Sequence, residues 1–208
     1  AQRLQRAIET RLGLRVVMTR GEDRTIRLDE RAAIANNNKA DLFISLHANA
    51  SLSPVPSGAE VSYLSLDEGD IERSGARLSG TNPQTVPVLG GGVRSIDVVS
   101  WEMAQVSHVD RSGALAAIVD AELRRHVDVR PGEAQRAPFR VLVGANMPAV
   151  LVELGFLSNP AEERRLGAPS YQEALSQALF QSIARYRTLV EQRPSSAPEA
   201  EEMPRRRP

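Results

Sequence analysis

The apolar positions of the chain fall into alternating helical and extended runs. Leu4, Ala7, Ile8 and Leu12 recur at helical spacing from the first turn, and Gly13 closes the run. Leu14 to Thr19 is short and rich in β-branched residues, which predicts a strand. Asp29 to Asn38 predicts a helix, with Ala32, Ala33, Ile34 and Ala35 apolar and the run Asn36-Asn37-Asn38-Lys39 as its end. ADLFISLHA, from Ala40 to Ala48, is apolar nearly throughout, as a strand covered on both faces would be. Ser51 to Gly58 carries two prolines and three serines and reads as a loop, and AEVSYLS alternates as a third strand.

The middle of the chain is less periodic. Ile71 to Leu78 is a candidate helix, and GTNPQTVPVLGGGVRS (residues 80–95) reads as loop. Trp101 to about His126 shows a rough helical pattern, and Arg130 to Ala137 is a polar loop. PFRVLVG and PAVLVELGF predict two strands separated by a short turn. Asn159 is a candidate N-cap with Pro160 at the first helical position, and Tyr171 to Val190 predicts a long amphipathic helix. Beyond Gln192 four prolines and almost no large apolar residues predict a disordered tail or linker.

Strands alternating with helices imply an α/β fold: an open, mostly parallel twisted sheet with helices on both faces. The expected organisation is one domain over residues 1–191 and a Pro-rich tail over 192–208. The chain opens inside a helix and without Met, so it reads as a fragment whose first helix is expected to start upstream of Ala1. Lys plus Arg and Asp plus Glu are 26 each, which argues against an electrostatically driven nucleic-acid partner. The chain holds no cysteine, so disulfides, thiolate metal sites and catalytic thiols are excluded. It contains no apolar run long enough to be a membrane span.

In sheets of this kind ligands bind beyond the carboxyl ends of the strands. Two strands end there in reactive side chains, ISLH at His47 and VLVE at Glu153. His47 is either a ligand or proton shuttle, or a histidine satisfied by a neighbour. Glu153, set among apolar residues, carries a desolvation cost unless paired. Its candidates are a general base or metal-linked carboxylate, or a salt bridge to Arg20 or Arg31. His108 and His126 fall on the helix expected at 101–126 and read as surface or capping residues. A serine-hydrolase elbow is absent, and the Gly90-Gly91-Gly92 run lacks the context of a phosphate loop.

LRVVMTRGEDRTIRLDERAAIANNNKADLFISLHANAS, GAEVSYLS and PAVLVELGFLSNPAEERRL with the following YQEALSQALFQSIARY carry a resemblance. In order and spacing they resemble the zinc-dependent type-3 family of N-acetylmuramoyl-L-alanine amidases, cell-wall enzymes that cut peptidoglycan. The match runs from about Leu12 to Tyr186 and is loose over residues 67–135. The resemblance implies that His47 is a zinc ligand and that Glu153 is the catalytic glutamate acting on a Zn2+-bound water. It implies hydrolysis of the amide between N-acetylmuramic acid and L-alanine, with peptidoglycan as partner, an activator protein as a further partner, and export to the periplasm or cell wall. The family's other two ligands, a His in a Gly-His-Gly-Gly stretch after the first strand and a Glu leading into the first helix, are expected upstream of Ala1 together with that strand, since Glu9 lies too far along the helix to serve. The chain alone is therefore expected to bind zinc weakly or not at all and to be inactive. The competing reading is a peptidoglycan-binding or regulatory pseudo-amidase without metal. Some members of that family carry an inserted helix that plugs the site, and residues 67–110 are long enough to hold one.

Overall fold

The computed structural model describes residues 1–53, 56–64, 84–88, 92–96, 108–136, 139 and 141–192. The candidate helix at 71–78, the first part of the one at 101–126, the glycine run at 90–91 and the tail beyond Gln192 lie outside these residues, as does most of the stretch expected to hold an autoinhibitory helix.

Helix α1 (Gln2–Leu12) stops at Gly13, whose φ of 65° is left-handed and suits a residue without Cβ. Helix α2 (Leu28–Asn37) starts where the Arg27 amide donates to Glu30 Oε2 at 3.3 Å, and Asp29 and Glu30 place negative charge at its positive end. Strands β1 (Phe43–Asn49) and β2 (Glu60–Tyr63) follow, then a hairpin of β3 (Gln84–Val88) and β4 (Gly92–Ile96). Helix α3 (Val109–His126), the two-residue β5 (Gln135–Arg136), β6 (Ala149–Phe156), α4 (Pro160–Gly167) and α5 (Pro169–Gln192) complete the described elements. Asn159 caps α4 as expected, accepting from the Ala161 and Glu162 amides, with Pro160 next to it.

The main sheet has the order β1-β6-β2-β5. β1 pairs with β6 and β2 with β5 in parallel, while β2 runs antiparallel to β6. The sheet is thus mixed, with two of its three pairings parallel as expected. β6 is central, and Ala149 to Val152 are at most 3% exposed. Alternation sends Val150 and Val152 to one face, where Leu4 and Ile8 of α1, Leu115, Val119 and Leu123 of α3 and Leu179 of α5 bury them. Ala149 and Leu151 pack on the other face with Ala32 and Ala35 of α2, Phe43, Leu64 and Leu142. Each fully buried leucine contributes about 1.5–3 kcal/mol, so both faces anchor β6 between helical layers.

Four expectations are corrected. Leu14 to Met18 has no regular secondary structure, Thr19 is a bend, and the segment pairs with no strand among the described residues. The alternation that suggested a strand is real, with Leu14, Val16 and Met18 half-buried and Arg15 and Val17 exposed. A groove of about 850 Å³, lined by Val16, Met18, Ile44 and Leu46 among others, separates this segment from β1. β-propensity cannot make a strand without a neighbour for its backbone N–H and C=O groups. The described residues of PFRVLVG form a turn and not a strand: the Phe139 carbonyl accepts from the Leu142 and Val143 amides, and the Leu142 carbonyl from Ala145. Val141 and Leu142 are 3% and 0% exposed, so the apolar run reflects burial rather than extension. Finally, residues 84–88 and 92–96, expected as loop, form the β3–β4 hairpin, and Gln135–Arg136 inside the expected polar loop pairs with β2.

Candidate active site

The site grows out of strand register. His47 on β1 lies opposite Glu153 on β6, and Glu60 on β2 lies opposite Glu153 on its other side. Directly paired residues point to the same face of a sheet. His47, Glu153 and Glu60 therefore form one row across three strands at the carboxyl end of β6, on the face that α2 covers. His47 Nδ1 is 3.7 Å from Glu153 Oε1, with the side chains 28% and 15% exposed. The other ring nitrogen, Nε2, lies 3.0 Å from Ser45 Oγ and 3.5 Å from Arg31 Nη1.

Burial lowers the pKa of His47 below its ordinary value, and the positive charges of Arg31 and Arg20 lower it further. Burial also raises the pKa of Glu153, and the negative charge of Glu60 adds to the rise. Each group is pushed toward its neutral form. Glu153 Oε2 is buried and has no hydrogen-bond partner among the described residues. The alternative reading of Glu153, a salt bridge to Arg20 or Arg31, is not what the structure shows. Arg31 donates to the Ile26 carbonyl and faces His47, and Arg20 donates to the Arg24 carbonyl.

The ring environment allows two tautomers with different consequences. With hydrogen on Nδ1, the ring donates toward Glu153 while Nε2 faces the Arg31 and Ser45 donors. With hydrogen on Nε2, Ser45 Oγ accepts it and the Nδ1 lone pair points to the Glu153 side, as a metal ligand requires. Ser45 is 5% exposed and serves both.

Glu60 is a site residue that the sequence does not single out. Its side chain is 11% exposed and forms an ion pair with Arg130. Alternation in AEVSYLS could have placed Glu60 with Ser62 on one face, but nothing local says that β2 runs beside β6. His108 and His126 do not join the row. His108 precedes α3 and faces Asn146 Oδ1 at 3.4 Å, near the opposite end of β6, while His126 Nδ1 lies 2.8 Å from the Glu122 carbonyl.

A catalytic zinc needs three protein ligands and an open position. His47 Nδ1 and the unpartnered Glu153 oxygen are suitable donor types. Among the described residues, however, no group of three or more His, Cys, Asp or Glu could hold a metal ion. These residues offer part of a metal site and do not complete one.

Fold and site together define an α/β protein with a carboxylate and a neutral imidazole facing each other at the carboxyl edge of its sheet. Residues 1–185 match the family described as N-acetylmuramoyl-L-alanine amidase, and the chain belongs to that family. It is 36% identical over 179 residues to the N-acetylmuramoyl-L-alanine amidase AmiC of Neisseria meningitidis serogroup B, covering 84% of this chain and 42% of that protein. It is 34% identical over 191 residues to AmiC of Escherichia coli O6:H1, covering 89% of this chain and 45% of that protein. The chain thus spans somewhat less than half the length of these curated relatives. The crystal structure of N-acetylmuramoyl-L-alanine amidase from Clostridium difficile 630 superposes with a TM-score of 0.66 at 25% identity, covering 90% of this chain and 79% of that one.

Proposed function

We propose that this domain hydrolyses the amide bond between N-acetylmuramic acid and L-alanine in peptidoglycan, with Glu153 as general base. The observation that carries the reading is the half-buried Glu153, with one oxygen toward His47 and the other without a partner among the described residues, in a chain of the amidase family. A carboxylate with a raised pKa is suited to take a proton from an attacking water and return it to the leaving L-alanine nitrogen. Ser45 and Arg31 hold the His47 ring, and burial keeps it neutral.

Zinc is the cofactor of this reading, with His47 as one ligand and two further donors supplied from upstream of Ala1. The groove beside β1 is where we place the strand that brings them, because the edge of β1 facing it has no neighbouring strand among the described residues. Residues 1–191 form the catalytic domain in this proposal, and 192–208 a tail or linker. The substrate places the protein in the periplasm or cell wall, and the reading extends to a protein activator. No helix among the described residues is long and apolar enough to cross a membrane.

The test extends the chain upstream and measures release of free stem peptides from purified peptidoglycan, with and without a chelator. Chelator-sensitive release is expected. Absence of release in the zinc-loaded extended protein would leave the metal-free, peptidoglycan-binding reading in its place.

A further inference from the structure

Glu162 is 2% exposed, yet among the described residues no lysine or arginine holds it closely: Arg165 Nη2 is 3.6 Å from Oε1. Its carboxylate is spent on two backbone donors from different elements. Oε2 accepts the Phe156 amide at 2.9 Å, and Oε1 accepts the Gly58 amide at 3.0 Å. Phe156 ends β6 three residues after Glu153, and Gly58 stands two residues before Glu60. The β2–β6 ladder ends at the pair of Glu60 and Glu153. The carboxylate therefore joins the two chains where their ladder stops.

The same point carries a β-bulge. His47 pairs with Glu153 but Asn49 pairs with Phe156, so β6 holds one extra residue there. Gly155 absorbs it at a φ of 149°, and a Cβ on Gly155 would come within 3.2 Å of Glu162 Oε2. A bulge re-aims the side chains beside it, and Glu153 is two residues away. The segment after the bulge also grips the loop that follows β1. Leu157 donates to the Asn49 carbonyl at 2.7 Å, Ser158 Oγ accepts from the Ser51 amide at 3.0 Å, and Asn159 Nδ2 donates to the Pro56 carbonyl at 3.4 Å.

We propose that Glu162 is a positioning residue: by bonding the Phe156 and Gly58 amides it holds the Gly155 bulge and so keeps Glu153 aimed at His47. Its importance to catalysis rests on the reading of that pair as the amidase site, but the geometric claim stands without metal or substrate. A carboxylate is matched to the task because it accepts two N–H groups at once, whereas an amide presents a donor to one of them.

The experiment uses metal-free residues 1–208 labelled for NMR, where His47, His108 and His126 are the only histidines. Glu162→Gln should shift the His47 ring signals, leave those of His108 in place, and lower the exchange protection of the Phe156 and Gly58 amides about tenfold or more. Gly155→Ala attacks the same bulge from the other side and should shift His47 likewise. Glu122→Gln is the control: it removes a buried carboxylate held by Arg125 and Arg185 in the helical layer, and should leave His47 unmoved. In zinc-loaded extended protein, Glu162→Gln should lower kcat about tenfold with KM within about twofold. His47 signals unmoved in folded Glu162→Gln and Gly155→Ala, or moved as far by Glu122→Gln, would overturn the proposal. Loss of the amidase reading would show instead as no turnover in the unmutated protein, with the NMR result intact.

Discussion

Glu153→Gln should make the metal-free protein more stable at pH 7 while removing the proposed general base. The native carboxylate is costly for two reasons that the register makes explicit. Glu60 stands directly opposite it, and directly opposed Cβ atoms lie about 5 Å apart. Two unit charges at that distance repel by about 3 kcal/mol at an effective dielectric of about 20. The ion pair of Glu60 with Arg130 cancels most of this, leaving about 1 kcal/mol of repulsion. The unpartnered Oε2 adds an unsatisfied buried acceptor, worth about 1 kcal/mol after allowing for its partial exposure. The amide of the variant still leaves a buried polar atom there, so removing the charge should stabilise by about 1 kcal/mol, a rise in Tm of about 2–4 °C for a domain of this size.

The pH dependence has a definite sign. The folded-state pKa of Glu153 is raised above its ordinary 4.5, so between the two values the folded chain holds more protons than the unfolded one. Stability of the unmutated protein then falls as pH rises through that window, and the cost is full above it. The amide that replaces the carboxylate in the variant does not titrate. Thermal melts from pH 4 to 8 should show the two proteins converging at acid pH and separating toward neutrality. A variant that melts lower than the unmutated protein at pH 7, or a gap that does not close on acidification, would refute the accounting. In the extended, zinc-loaded protein the same substitution should abolish stem-peptide release and leave bound zinc in place.

Ser45→Ala removes the hydroxyl that can accept hydrogen from His47 Nε2, and should weaken zinc binding by the extended protein about tenfold, read by competition with a chromophoric chelator. Leu115→Ala opens a cavity at a position with 0% exposure in the layer between α3 and the sheet, and should cost about 2–5 kcal/mol in urea unfolding with little change in the slope.

Much of this fold is legible in the sequence because hydrophobic period and end signals coincide. Gly13 and Asn159 mark helix ends by chemistry that acts locally, and the apolar run PAVLVELGF predicts the strand that becomes β6. The misread segments fail for one shared reason. LRVVMT has strand chemistry but no ladder neighbour among the described residues, and the strand-like run PFRVLVG forms a turn over residues 141–144. Pairing partners and burial are properties of the whole chain and cannot be read from a window of seven residues.

The sequence by itself determined the alternation of helices and strands, the strand that becomes β6, and the placing of an imidazole and a carboxylate at strand ends. Local periodicity and residue chemistry suffice for these. Only the tertiary structure decided that β2 runs antiparallel to β6, which sets Glu60 against Glu153, and that the Glu162 carboxylate takes over where the ladder ends. Those relations join residues distant in sequence, and register between strands is fixed by packing and hydrogen bonding across the sheet, not by any one segment.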